Sequence, residues 1–238
     1  MSIIFITGSG RRLGKGLALE FARKGWDIII HYNNSVSQVE QTVAQIRELG
    51  VRCSSFRADV KDYNAMKSGF DEVVSEIGHP NVLVNNAAIY PASNHLAETE
   101  LTLWDEVMDT NLKSYFQNAK IFCENALPDS RIINIASMGA FRIWKGRIPY
   151  NVSKAGVVQL TKALALDLAP NIAVNSVSPG SIDIDDDLPV EKLAIKTGNI
   201  PMQRHGSTGD VFDAVYFFAT ASLYITGQNL CVDGGYHL

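Results

Sequence analysis

The chain has 238 residues, 46% of them hydrophobic, and a formal net charge of −4. That length suffices for one α/β domain with a sizeable core, and the apolar content is ordinary for a globular protein. The acidic balance, with no basic stripe along any predicted helix, disfavours nucleic-acid binding, and no apolar run reaches the length of a membrane span.

Apolar runs of strand length alternate with longer amphipathic stretches. Strands are expected over 3–7, 27–32, 52–58, 81–85, 131–137, 173–178 and 229–232. Leu13, Leu17 and Phe21 recur every four residues and give the first helix one core-facing stripe. Val36, Val39, Val43, Ile46 and Leu49 do the same for the second, where Ser37-x-x-Glu40 offers a capping box. Longer helices with extended apolar faces are expected over 101–126 and 150–169. Strand–helix alternation implies a doubly wound, Rossmann-type parallel sheet of about seven strands, with helices on both faces. The expected fold class is α/β, with one domain over 1–238. The segment 181–208, with Asp183, Asp185, Asp186, Asp187, Pro189 and Pro201, is too polar and broken for core. It reads either as a mobile lid or as a solvated loop.

The first strand is under way by Ile3, which leaves no room for a secretory signal. Cys53, Cys123 and Cys231 are odd in number, widely spread and set in or beside apolar elements. They are expected to be reduced core thiols, which points to a cytoplasmic setting. His31, His79, His95, His205 and His237 form no metal-ligand spacing, and no metal is expected.

Ile3 to Gly16 reads as strand, glycine-rich turn, helix. Glycines let a backbone approach a pyrophosphate, and a helix N-terminus supplies N–H donors, although tight turns also use glycine for geometry alone. An NAD site usually carries an acidic residue at the end of the second strand, to bind the ribose 2′-hydroxyl. Here that end is His31-Tyr32-Asn33-Asn34-Ser35, without a carboxylate. Arg12 can fork two N–H donors onto a phosphate, so the expected cofactor is NADP(H); Arg11 either helps or is solvated. Ser137 closes the strand 131–137 at its carboxyl edge, where ligands of open α/β sheets bind. Tyr150 and Lys154 stand four apart at the start of a helix and share one face. An ammonium beside a phenol is expected to lower the tyrosine pKa and to give a usable proton donor and acceptor.

These pieces together resemble the short-chain dehydrogenase/reductases over essentially the whole chain. The matching residues are Thr7-Gly8 with Gly14 and Gly16, Asp59-Val60, Asn85-Asn86-Ala87-Ala88, Asn111, Ser137, Tyr150-x-x-x-Lys154, Pro179-Gly180 and Val232-Asp233-Gly234-Gly235. The resemblance implies an enzyme passing hydride between a nicotinamide and a carbonyl or carbinol carbon. It makes Tyr150 the acid, Lys154 its helper and a ribose ligand, and Ser137 a donor to the substrate oxygen. Asn111 would interrupt the fourth helix and hold a water linked to the lysine. Implied cofactor contacts are Gly8, Arg12, Leu13, Gly14, Tyr32, Asn33, Asn34, Ser35, Asp59, Val60, Asn86, Ala87, Ala88, Tyr150, Lys154, Pro179, Gly180, Ser181 and Ile182. Ala88 replaces a usual glycine, and Ile184 stands where a carboxamide-anchoring threonine is common, with Ser181 as a substitute.

Within the family the chain resembles 3-oxoacyl-carrier-protein reductases and general carbonyl reductases. The alternative is a pteridine reductase, similar in Arg12, in His31-Tyr32-x-x-Ser35 and in Tyr90-Pro91. Against it, Ser137 replaces that group's aspartate and Ile89 lacks a stacking ring. A non-catalytic nucleotide sensor is a further reading. Arg142, Lys145 and Arg147 either form a docking patch for an acidic carrier protein or belong to a wet loop. Trp144 and Tyr90 either shape the pocket or belong to the core. The resemblance further implies a homotetramer, acting on a small carbonyl or alcohol, with neither nucleic acid nor membrane as partner.

Overall fold

The computed structural model describes residues 2–34, 36–92, 95–184 and 195–238. Strands β1 (Ile3–Ile6), β2 (Asp27–Tyr32), β3 (Cys53–Arg57), β4 (Val82–Asn85), β5 (Ser130–Ile135) and β6 (Ile172–Pro179) follow the expected runs to within a few residues. Two short strands, β7 (Ile182–Asp183) and β8 (Gly206–Ser207), precede β9 (Asn229–Val232). The main sheet has the order β3-β2-β1-β4-β5-β6-β9, with every pair parallel. This is the expected seven-stranded α/β sheet.

Helices α1 (Arg12–Arg23), α2 (Val36–Glu48), α3 (Tyr63–Ile77), α4 (Leu101–Met108), α5 (Ser114–Cys123), α6 (Ile148–Leu168) and α7 (Thr208–Thr220) cover both faces. Side chains of β1 alternate between two cores, as the pleat requires. Ile4 and Ile6 pack with Leu17 and Phe21 of α1 and with Val215 and Phe218 of α7. Ile3 and Phe5 pack with Met66 and Phe70 of α3, Phe122 of α5 and Ala165 of α6. Both faces are covered, so the central strands are apolar throughout instead of alternating.

Two local expectations are corrected. In α2 the core stripe is Val39, Thr42 and Ile46, with Val43 at its flank, while Val36 and Leu49 are exposed at the helix ends. Helix α2 begins at Val36, so Ser37 lies within its first turn and is not the N-cap of a capping box. A true capping box stands before α7. The Ser207 hydroxyl accepts from the Asp210 N–H at 3.2 Å, and the Asp210 carboxylate accepts from the Ser207 N–H at 2.7 Å. Arg204 also grips Asp210 at 2.7 and 2.8 Å, which holds that carboxyl well below its usual range.

The helix expected over 101–126 is interrupted as read. Asp109–Lys113 forms a π-helical turn between α4 and α5, with Asn111 buried at its centre. Such turns widen the helix by one residue and re-aim the side chains within it. Cys53, Cys123 and Cys231 are free thiols, and burial pushes Cys53 up to about 12 and Cys123 up to about 11. Among the described residues no helix is long and apolar enough to cross a membrane.

Candidate active site

Strand order reverses between β1, which leads to β2, and β4, which leads to β5. The crevice outside their carboxyl ends is the ligand position of this topology. The two strand ends are locked together there. Thr7 Oγ1 accepts from the N–H of Asn86 at 3.0 Å and of Ala87 at 3.1 Å. The Asn86 amide donates back to the carbonyls of Thr7 at 2.9 Å and Gly8 at 3.2 Å. Gly8 has φ +64°, and a Cβ there would lie 2.9 Å from the Ala87 Cα. A Cβ on Gly14 would lie 2.5 Å from the Gly8 carbonyl oxygen. Bare backbone therefore forms this turn, a cradle that a pyrophosphate fits.

His31 lies buried beneath the turn. Its Nδ1 accepts the Gly8 N–H at 3.1 Å and its Nε2 faces the Ala58 carbonyl at 3.0 Å. An amide N–H can only donate, so Nδ1 carries no proton and Nε2 donates. Burial pushes this histidine down from 6.5 to about 4, against smaller upward pulls from Ala58 and Asp59. The sequence reading used His31 only as a strand end. Its placement directly after Ile28-Ile29-Ile30 was the available signal for a buried neutral imidazole.

Arg12 has φ +54°, in the left-handed region where glycine sits without strain and other residues rarely do. Leu13 packs at the flank of the core that α1 shares with α7. Asn33 and Asn34 are exposed beyond β2, and Ser35 lies outside the described residues. Arg57, which the sequence reading missed, pairs in register with Tyr32 and donates Nε to the Asn33 carbonyl at 2.8 Å. It brings a second cation to the edge where a 2′-phosphate is expected. Val60 is buried, and Asp59 Oδ1 caps the Lys61 N–H at 2.9 Å.

Ser137 follows β5 in extended backbone. Its Oγ accepts from the Gly139 N–H at 3.1 Å and lies close enough to the Tyr150 phenol to pull its pKa down. Pro149 stands in the first turn of α6, where its missing N–H costs no helical bond, and Tyr150 follows in the same turn. Lys154, buried one turn on, donates Nζ to the Ile135 carbonyl at 2.8 Å and to the Tyr115 hydroxyl at 3.4 Å. Burial pulls Lys154 down to about 7 and pushes Tyr115 well above its ordinary 10. The expectation of a lowered tyrosine pKa is corrected. Burial pushes Tyr150 up to about 12, Ser137 and Arg147 pull it down and Tyr90 pushes it up. The ammonium faces the Ile135 carbonyl, so desolvation of the phenolate wins.

Asn111 holds Ile89 from both ends: Oδ1 accepts the Ile89 N–H at 2.8 Å and Nδ2 donates to its carbonyl at 3.0 Å. Nδ2 also reaches Ser153 Oγ at 3.3 Å. Ala88 therefore sits in a chain segment fixed between Asn86 and Ile89.

Tyr90 and Trp144 line the site. The Tyr90 ring meets Tyr150 edge-on at 4.7 Å, and Trp144 lies parallel to Tyr150 at 6.0 Å. Arg147 stacks over Tyr90 at 4.2 Å. Arg142 instead stacks on Tyr236 at 4.1 Å and donates to its carbonyl at 2.6 Å. On the far side β6 closes with Pro179-Gly180. A Cβ on Gly180 would lie 2.6 Å from that of Asp233, so the two segments meet backbone to backbone. Ser181 accepts the Gly206 N–H at 2.9 Å, and Ile182 pairs with Gly206 in the two-stranded β7–β8 ladder. Asp185, Asp186, Asp187 and Pro189 lie outside the described residues.

A family model described as enoyl-(acyl carrier protein) reductase matches residues 8–237. The 3-oxoacyl-(acyl-carrier-protein) reductase FabG of Staphylococcus aureus is 36% identical, across 98% of this chain and 97% of its own. The 2-dehydro-3-deoxy-D-gluconate 5-dehydrogenase of Escherichia coli is 32% identical, across 98% and 94%. Among solved structures, a short-chain dehydrogenase from Burkholderia cenocepacia in complex with NADP has TM-score 0.91 and 30% identity, across 100% of this chain and 98% of its own. A parallel sheet with a glycine turn at its switch point, beside a serine, a tyrosine and a lysine, defines a nucleotide-dependent oxidoreductase. The chain belongs to the short-chain dehydrogenase/reductase family.

The neutral His31 makes a pH prediction. Its pKa is lower folded than unfolded, so below pH 6.5 the unfolded chain binds the extra proton and stability falls toward pH 4. The loss reaches about 3 kcal/mol by pH 4. Denaturant titrations of wild type and His31→Phe at neutral and acid pH check this. We expect a clearly shallower acid loss in the variant; equal slopes would show that His31 does not titrate as assigned.

Proposed function

We propose that the protein is an NADP(H)-dependent reductase that interconverts a small carbonyl compound and its secondary alcohol. Ser137, close enough to the Tyr150 phenol to pull its pKa down, with Lys154 one helical turn on from that tyrosine, carries this reading. Bound NADPH would supply the hydride. Gly8, Arg12, Asn33 and Asn34 would hold its phosphates, Val60 its adenine edge, and Pro179, Gly180 and Ser181 its carboxamide side. The NADP in the Burkholderia cenocepacia relative supports this choice of coenzyme.

Tyr150 is a phenol at neutral pH, its pKa being pushed up to about 12, which suits an acid that protonates a carbonyl oxygen. Ser137 donates to the same oxygen as charge develops. Lys154, pulled down to about 7, takes up and gives back protons near neutrality and so resupplies the tyrosine. The Asn111 amide is committed to Ile89 and Ser153, so a water linked to Lys154 would rest on its backbone carbonyl. We read the segment 181–208, of which residues 185–194 lie outside the described residues, as a lid over the site. Arg142 is held by Tyr236, which weakens the docking patch a carrier protein would need and favours a free substrate. The pteridine reading gains nothing from Ile89, which presents no ring to a pterin.

Exposed Leu101, Phe116, Val152 and Leu166 lie on α4, α5 and α6, and Phe217, Tyr224, Leu230 and Leu238 near α7 and β9. Two apolar regions on one chain fit a closed homotetramer working in the cytoplasm. Light scattering at micromolar concentration should give four chains; a monomer would end this reading.

Tyr150→Phe should abolish carbonyl reduction while NADPH binding stays near wild type. Ser137→Ala should slow turnover on the order of a hundredfold. Near-normal turnover in the Phe variant would mean another residue is the acid.

For coenzyme choice, Arg12→Gly also removes the positive-φ strain, so any lost affinity is not a folding defect. We expect NADPH binding to weaken about tenfold more than NADH binding, the value of one bond to a charged group. Asn33→Asp should swing preference toward NADH. Dissociation constants for both coenzymes decide, and equal wild-type affinities would refute the NADP assignment.

A further inference from the structure

We propose that Arg147 is the receptor for a carboxylate on the substrate, so that this enzyme acts on a small free oxo acid. The inference rests on the reductase reading and narrows its substrate class.

Arg147 stands three residues before Tyr150, at the N-cap of α6. Its guanidinium lies over Tyr90 at 4.2 Å, and Tyr90 meets the Tyr150 ring at 4.7 Å. The three side chains are in sequential contact, Arg147 over the face of Tyr90 and Tyr90 edge-on to Tyr150, the phenol proposed to protonate the carbonyl. Arg147 is also close enough to Tyr150 to act on it electrostatically.

The guanidinium lacks acceptors. Arg23, Arg52 and Arg204 lie on carboxylates, and Arg47, Arg131 and Arg142 on backbone carbonyls. Among the described residues the Arg147 side chain donates to none, and its Nη1 is closed off from solvent without a partner. A desolvated, charged donor without an acceptor is unfavourable, and native structures rarely tolerate one without a use for it. Stacking on Tyr90 engages the face of the guanidinium and leaves its in-plane N–H fork unmet. That fork matches a carboxylate geometrically. A carboxylate in the plane of the fork would leave the neighbouring carbonyl of the same small molecule directed toward Tyr150 and Ser137. Trp144, parallel to Tyr150 at 6.0 Å, restricts the space to a short chain.

The test compares 3-oxobutanoate with its methyl ester, which has the same ketone and no charge. Steady-state kcat/KM for both is measured on wild type, Arg147→Met and Arg147→Lys. We expect wild type to prefer the anion, and the Met variant to lower the anion-to-ester ratio by about tenfold to a hundredfold, mainly through KM. The Lys variant, which keeps the charge without the fork, should fall between them. A wild type that reduces the ester as well as the anion, or a Met variant that slows both substrates alike, overturns the proposal. Calorimetry with unreactive butanoate and butanamide separates it from the reductase reading. Butanoate binding that Arg147→Met abolishes supports the anion site even if neither ketone is reduced. Butanoate that binds both proteins equally, or neither, overturns it.

Discussion

A reciprocal hydrogen-bond lock between two strand ends sets the geometry of this site. Thr7 accepts two N–H groups from the end of β4, and the Asn86 amide returns two bonds to the end of β1. That reciprocal lock holds the crevice at the switch point to one width. It requires Gly8 and Gly14, because a methyl at either would strike backbone. His31 supports the lock from below and ties it to the end of β3. One buried imidazole thus sets the height of the glycine turn relative to the strand edge where the coenzyme phosphate is to be read.

A second polar layer lies under Tyr150 and Lys154. Asn85 donates to Asn134 at 2.9 Å and accepts from Asn118 at 3.0 Å, and Asn134 donates to Thr161 of α6 at 2.9 Å. This chain crosses from β4 and β5 to α6, the helix that carries Tyr150 and Lys154. Buried networks are favourable only when satisfied in specific geometry, so they fix register where apolar packing would tolerate sliding. The Lys154 bond to the Ile135 carbonyl repeats the device nearer the surface.

Burial governs the electrostatics of the site more than charge pairing does. Tyr150 is pushed up and Lys154 down by the same desolvation. The two groups, close in proton affinity in water, are thereby moved apart: the phenol keeps its proton at neutral pH while the lysine exchanges its own there. A design resting on a permanent ammonium would hold the phenolate more firmly but would have no resupply at that pH.

The seven main strands, the α/β class and the interruption at Asn111 were legible because apolar runs, helical periodicity and family motifs are local records. The glycine positions were legible because backbone contact excludes every other residue. Periodicity failed at the ends of α2, where Val36 and Leu49 keep the spacing but overhang the core. The capping box before α7 was missed because Ser207 and Asp210 follow an irregular segment that hides where the helix starts. The direction of the Tyr150 shift, the duty of His31, the approach of Arg57 to Asn33 and the orphaned fork of Arg147 were decided by tertiary structure alone. Each depends on how much water is excluded, or on which distant group faces the side chain, and neither quantity is written in the spacing of residues along the chain.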